Sequence, residues 1–283
     1  MTSSEKFVHL LMRFLVPGAA RQLERDGTLD HSQYMVIQDR GADVTVFCLS
    51  GLAAMFAGLP VYEFRRMLPT ASRDMNLVFI RDVRRMFYQV SPDGEADGGA
   101  FFESEIRRVR DELGASHNVL LGASGGGAAA FLFGSRLGFD QLITFSPAFP
   151  VHVYNSWRNR FRSLFDLPKL FCHPKGYFEV FFLTFLVCPW AIRRIVRVTG
   201  KSDSTEILEA YRNASPRPRA TVIHGHTCWP DVDQAAIMRQ FPEVKCIPVE
   251  SARHNCAGDL KKRGELAPLI LNELAEGLAA RRG

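Results

Sequence analysis

Residues 118–134 constrain the fold more than any other part of the chain. Residues 119–121 are a short apolar run of the kind that makes a buried parallel strand. Gly122-Ala123-Ser124-Gly125-Gly126 follows directly, and residues 128–137 then read as a helix of small and apolar side chains. Strand, sharp turn and helix with Gly-x-Ser-x-Gly at the turn make a nucleophile elbow. A serine at such a turn sits in a strained backbone, and its hydroxyl projects clear of the sheet. Gly122 and Gly126, without side chains, let strand and helix approach closely. The helix N-terminus behind Ser124 offers N–H groups to a developing oxyanion, and Gly125 is the first of them. The plainer explanation of five such residues is a tightly packed glycine turn; the strand–helix setting favours a functional serine. No Lys-Ser or Lys-Thr follows the glycines, and Gly-x-Gly-x-x-Gly spacing is absent, so phosphate-loop and dinucleotide readings fit less well.

The rest of the chain alternates in the way a doubly wound α/β sheet requires. Strands are expected at residues 34–38 (an edge), 43–50, 76–82, 141–146, 219–224 and 244–249. Helices are expected at 59–68, 102–113, 231–241 and 260–280, with a Pro-, Gly- and Asp-rich loop at 91–99. Arg81 and Asp82 fall at the C-terminal end of a strand, where an ion pair between them is the simplest expectation. The 283 residues suit one domain with an insertion.

That insertion is placed at residues 150–215, between core segments 1–149 and 216–283. It alternates arginines with aromatics at 158–162 and then runs apolar and aromatic over 177–192, followed by Arg193, Arg194 and Arg197. Glu179 and Pro189 lie inside the run, which is too short for a comfortable bilayer span. A helical cap over the active-site edge is expected, with an apolar face turned to a membrane surface as the alternative. Residues 5–25 form an amphipathic pattern, read as a helix packed on the body or lying on a membrane. Membrane contact is therefore assigned to residues 5–16 or 177–197. The chain has 22 Phe, a surplus that needs a core, an acyl pocket or a membrane surface. The charge of +5 is spread as scattered arginine pairs, which does not favour nucleic acid. Six cysteines without paired C-x-x-C spacing read mostly as buried thiols. The expectation is a reduced cytoplasmic protein, at most membrane-peripheral, since no secretory signal is recognised.

A serine nucleophile needs a base, and the base needs an orienting carboxylate. His254 lies in the loop after the last strand, and Asp231 and Asp233 lie after the preceding one. Asp231 is favoured and read at a helix N-cap, a common place for an aspartate. Asp233, inside the first turn, is the alternative. His224-x-His226 has strand-like spacing but no nearby ligand cluster, so no metal is expected. Cys228 and Cys256 flank the set and are read as space-fillers whose oxidation would impair activity.

These segments resemble the α/β-hydrolase superfamily. The likeness rests on Phe47 to Gly51, Phe79 to Asp82, Gly122 to Gly126, Thr144 to Pro147, Pro230 to Ala235 and His254 to Gly264. More narrowly they resemble hydrolase-like proteins of polysaccharide modification, including capsule O-acetyltransferases, from which the long aromatic insertion departs. The resemblance implies a mostly parallel α/β-hydrolase-type sheet with a helical cap, and the chain order Ser124, Asp231, His254. It favours Asp231 over Asp233. It also implies a second oxyanion N–H from the loop after the 43–50 strand, assigned to Leu52 with Gly51 or Ala53 as alternatives. The expected activity is acyl transfer through an acyl-serine from an ester or thioester, to water or to a hydroxyl such as that of a glycan. No cofactor is implied beyond an acyl-CoA donor for a transferase. The rival expectation is a non-catalytic hydrolase-fold protein that uses the aromatic cap to bind a lipid-linked or protein partner.

Overall fold

The computed structural model describes residues 33–51, 61–149, 157–200 and 205–282. The amphipathic pattern at 5–25, and Leu52 and Ala53, lie outside these residues. Seven strands form one sheet: β1 (Met35–Gln38), β2 (Val44–Leu49), β3 (Asn76–Ile80), β4 (His117–Ala123), β5 (Gln141–Phe145), β6 (Arg219–Gly225) and β7 (Val244–Val249). Their order is β1-β3-β2-β4-β5-β6-β7; β1 is antiparallel at the edge and every other pairing is parallel. Parallel strands are covered on both faces, which is why they read as continuous apolar runs. Alternate residues of each strand feed opposite sides. Phe47, Leu49, Leu120 and Leu142 enter one core cluster; Val46, Cys48, Leu121 and Ile143 enter the other.

The helices are α1 (Leu68–Ala71), α2 (Gly98–Leu113), α3 (Gly125–Leu137), α4 (Trp157–Phe165), α5 (Leu167–Cys172), α6 (Pro174–Phe182), a π-helical turn (Leu183–Val187), α7 (Cys188–Thr199), α8 (Thr205–Asn213), α9 (Trp229–Met238), α10 (Cys256–Arg263) and α11 (Leu266–Arg282). Three of them differ from the sequence expectation. In place of a helix at 59–68, the described part is a run of turns ending in α1, because Phe64 takes φ +62°, which a right-handed helix excludes. The closing helix is two helices, broken at Gly264, whose φ of +77° ends α10 in a left-handed cap. Helix α8, within the 150–215 segment read as an insertion, packs on the core. Tyr211 of α8 is fully buried against Phe131 of α3 and Phe241, and its hydroxyl donates to the Pro218 carbonyl at 3.0 Å. Helix α8 is thus part of the core layer, and the described insertion is residues 157–200.

Candidate active site

The parallel strands β4, β6 and β7 end at one edge, where open α/β sheets carry their sites. The elbow between β4 and α3 is closely packed. A Cβ on Gly122 would lie 2.3 Å from the Gly126 carbonyl oxygen, and one on Gly126 would lie 2.2 Å from that of Leu49. No side chain fits at either position. Ser124, held between them, has φ 51° and ψ −117°, a strained conformation for a residue with a Cβ. Its backbone is fixed on both sides: its N–H donates to Phe145 O at 2.9 Å, and its carbonyl accepts from Ala128 and Ala148.

The loops after β6 and β7 bring the partners in. His254 Nε2 lies 2.8 Å from Ser124 Oγ, and His254 Nδ1 lies 2.7 Å from Asp231 Oδ1. An ionised carboxylate only accepts, so Nδ1 carries the proton and Nε2 is left to accept from the serine hydroxyl. Asp231 and His254 are both buried. Burial pulls the His254 pKa down, but the charge and hydrogen bond of Asp231 outweigh it, with Glu179 and Glu63 adding to the effect. The net pKa is above the ordinary imidazole value. Asp231 sits in the first turn of α9 and not at its N-cap, which is Cys228. Asp233 is turned outward, with Oδ2 3.4 Å from Arg162 Nη1. Cys228 and Cys256 are fully buried, and burial pushes the Cys256 thiol up to about 12, so it packs as a neutral group beside Ser146 Oγ at 3.3 Å. Cys172 is exposed, unlike the buried thiols expected.

Gly125 opens α3, so its N–H has no partner within the helix. The Gly51 N–H faces the Glu63 carboxylate and favours its charged form. A Cβ on Gly51 would lie 3.3 Å from Ser124 Cβ and 3.4 Å from Glu63 Oε1, which places that carboxylate beside the elbow. The Glu63 N–H donates to Ser50 Oγ at 3.2 Å. Among the described residues Glu63 Oε2 is buried without a hydrogen-bond partner. Burial raises the Glu63 pKa to about 7, against the opposing pull of the Gly51 N–H and of His254. Sequence reasoning missed Glu63, since a helix at 59–68 would have made it one surface carboxylate among many.

It also missed what fastens the histidine loop. Glu179 of α6 accepts from the Asn255 N–H at 2.7 Å with one oxygen and from Arg253 Nε at 2.6 Å with the other. Arg253 also reaches Asp259 at 3.1 Å, and Asp259 accepts from Ser251 Oγ at 2.8 Å. Gly176, one turn earlier on α6, lies so close that a Cβ there would be 2.4 Å from the Ala252 carbonyl oxygen. The insertion therefore grips the residues on either side of His254. Arg81 and Asp82 do separate work: Arg81 lies over the Tyr62 ring and donates to Gln33 O, while Asp82 accepts from the N–H groups of Arg84, Met86 and Tyr88.

No protein-family model and no curated protein sequence matches the chain. Solved structures do. A carboxylesterase of the thaumarchaeon Nitrososphaera gargenis aligns at TM-score 0.53 and 11% identity, over 87% of this chain and 95% of that one. The capsule O-acetyltransferase of Neisseria meningitidis serogroup A aligns at TM-score 0.52 and 13% identity, over 84% of this chain and 90% of its own. MenH from Staphylococcus aureus aligns at TM-score 0.50 and 17% identity, over 87% and 99%. At such identities the likeness is one of fold. The chain has the α/β-hydrolase fold, whose members among these neighbours include a carboxylesterase and an O-acetyltransferase.

Proposed function

We propose that the protein is a serine enzyme of acyl transfer. The observation that carries this is the hydrogen-bonded line Ser124–His254–Asp231 at 2.8 and 2.7 Å, on a strained elbow and a buried imidazole. Ser124 Oγ attacks the carbonyl carbon of an ester or thioester while its proton passes to His254 Nε2. Asp231 holds the Nδ1 tautomer and steadies the imidazolium that forms. The oxyanion takes the Gly125 N–H, and the second donor is assigned to Leu52 in the loop after β2. His254 then protonates the leaving alkoxide or thiolate. A second nucleophile, water or an acceptor hydroxyl such as that of a glycan, repeats the sequence on the acyl-serine. An acyl-CoA donor suits the transfer version, and a cytoplasmic, membrane-peripheral location suits such a donor.

The rival, a non-catalytic binding protein, has no need of a serine and a histidine in hydrogen-bond contact, and the 2.8 Å distance counts against it. The test is pre-steady-state hydrolysis of p-nitrophenyl acetate. The wild type is expected to release a burst of nitrophenol stoichiometric with enzyme, and Ser124→Ala none. Added sugar hydroxyls that speed the steady state and carry the acetyl group away identify a transferase; water-limited turnover identifies an esterase. Absence of a burst together with equal slow rates in both proteins would refute acyl-serine chemistry on this substrate.

A further inference from the structure

We propose that the described insertion, residues 157–200, docks on an anionic lipid surface. Ten of the eleven large hydrophobic side chains found exposed among the described residues lie in it; the other is Ile37 on the edge strand. Their spacing is helical. Phe161 and Phe165 share one face of α4, and Phe178 and Phe182 share one face of α6 that Leu186 extends through the π turn. Phe171 of α5 is 80% exposed. Three successive helices that each leave a phenylalanine face in water form no ordinary soluble surface.

Charge identifies the occupant. Residues 157–200 contain eight Lys and Arg against two acids, a net charge of +6 that exceeds the +5 of the whole chain. Both acids are engaged within the fold: Glu179 is buried on Arg253 and Asn255, and Asp166 caps α5 by accepting the Lys169 N–H at 3.3 Å. Lys175, Arg193 and Arg197 remain exposed. Like charge on a second copy opposes self-association through this surface. Phenylalanines that enter the acyl boundary while Lys and Arg meet anionic headgroups is the arrangement of an interfacial helix. No helix among the described residues is long and apolar enough to cross a membrane, so these helices lie along the surface. Because α6 also fastens the His254 loop, docking would bring the catalytic edge close to the bilayer, within reach of a lipid-borne substrate.

The test is co-sedimentation of the full chain with vesicles of phosphatidylcholine alone or with about one third phosphatidylserine. Binding is expected to the anionic vesicles and to fall as salt shortens the screening length. The variant Phe171→Ser with Phe178→Ser is expected to lose about a hundredfold in partitioning, roughly tenfold per ring. Arg193→Glu with Arg197→Glu is expected to abolish the preference for the anionic lipid. Circular dichroism melting of each variant checks the fold, and fluorophosphonate labelling checks the active site separately, so a failed docking result does not depend on the catalytic assignment. No pelleting of the wild type overturns the proposal, as does equal pelleting with neutral vesicles. Wild-type binding by a folded phenylalanine variant overturns it too. So does a dimer or protein complex that buries these faces without lipid.

Discussion

Replacing Glu63 by glutamine isolates the least ordinary group at the site. The Gln amide oxygen can still accept the Gly51 N–H, so the change removes a titration and little else. Burial raises the native Glu63 pKa from 4.5 to about 7. Below the unfolded value both states hold the proton and Glu63 carries no penalty. Between 4.5 and about 7 the unfolded chain ionises while the native protein keeps its proton, so native stability is lost as pH rises. Above that range both states are ionised and the loss stays at its full value, about 3 kcal/mol for a shift of this size. Glu63→Gln does not titrate and escapes the loss. Urea unfolding at a series of pH values should show wild type and variant equally offset below the window, diverging through it, and then parallel, with the variant relatively stronger by about 3 kcal/mol at about pH 8. Since the Glu63 charge helps to hold the His254 pKa up, the acid limb of the pH–rate profile should move to lower pH in the same variant. A stability difference that does not change with pH would refute the buried-carboxylate account.

Other substitutions follow from the geometry. Asp231→Asn should lower kcat about ten-thousandfold with the fold intact, whereas Asp233→Asn, which loses only an exposed contact to Arg162, should stay within about twofold. Glu179→Gln weakens the grip on Arg253; kcat should fall about tenfold with KM little changed, and the acid limb of the pH–rate profile should move to lower pH as the Glu179 charge is lost. A purely structural role would leave that limb in place. Gly126→Ala forces a Cβ to 2.2 Å from the Leu49 carbonyl oxygen, which should destabilise the protein by about 3 kcal/mol in urea unfolding and abolish labelling of Ser124.

The inner sheet was legible because buried parallel strands are apolar runs, as in β2, β3 and β5, while the edge strands β1 and β7 are only partly buried. The elbow was legible because close backbone approach admits only glycine at 122 and 126. Chain order pointed to Asp231 and His254, which follow β6 and β7: Asp231 lies in the first turn of α9 and His254 in the loop before α10. What escaped depends on long-range packing. Glu179 and Arg253 are 74 positions apart, and no local pattern pairs them. Glu63 lies beside the elbow in a run of turns where Phe64 takes positive φ, and a bulky aromatic gives no sequence signal for that conformation. Helix α8 looked like a continuation of the insertion, whereas Tyr211, Ile207, Leu208 and Ala210 pack it on the core. The break at Gly264, between Arg263 and Glu265, was signalled by the glycine itself inside a stretch read as one helix over 260–280.

The most direct test of the central claim is intact mass after fluorophosphonate treatment. An activated serine at the elbow predicts one adduct on the wild type, none on Ser124→Ala, and much slower labelling of His254→Ala. No adduct on the folded wild type, or an equal adduct on Ser124→Ala, would contradict it.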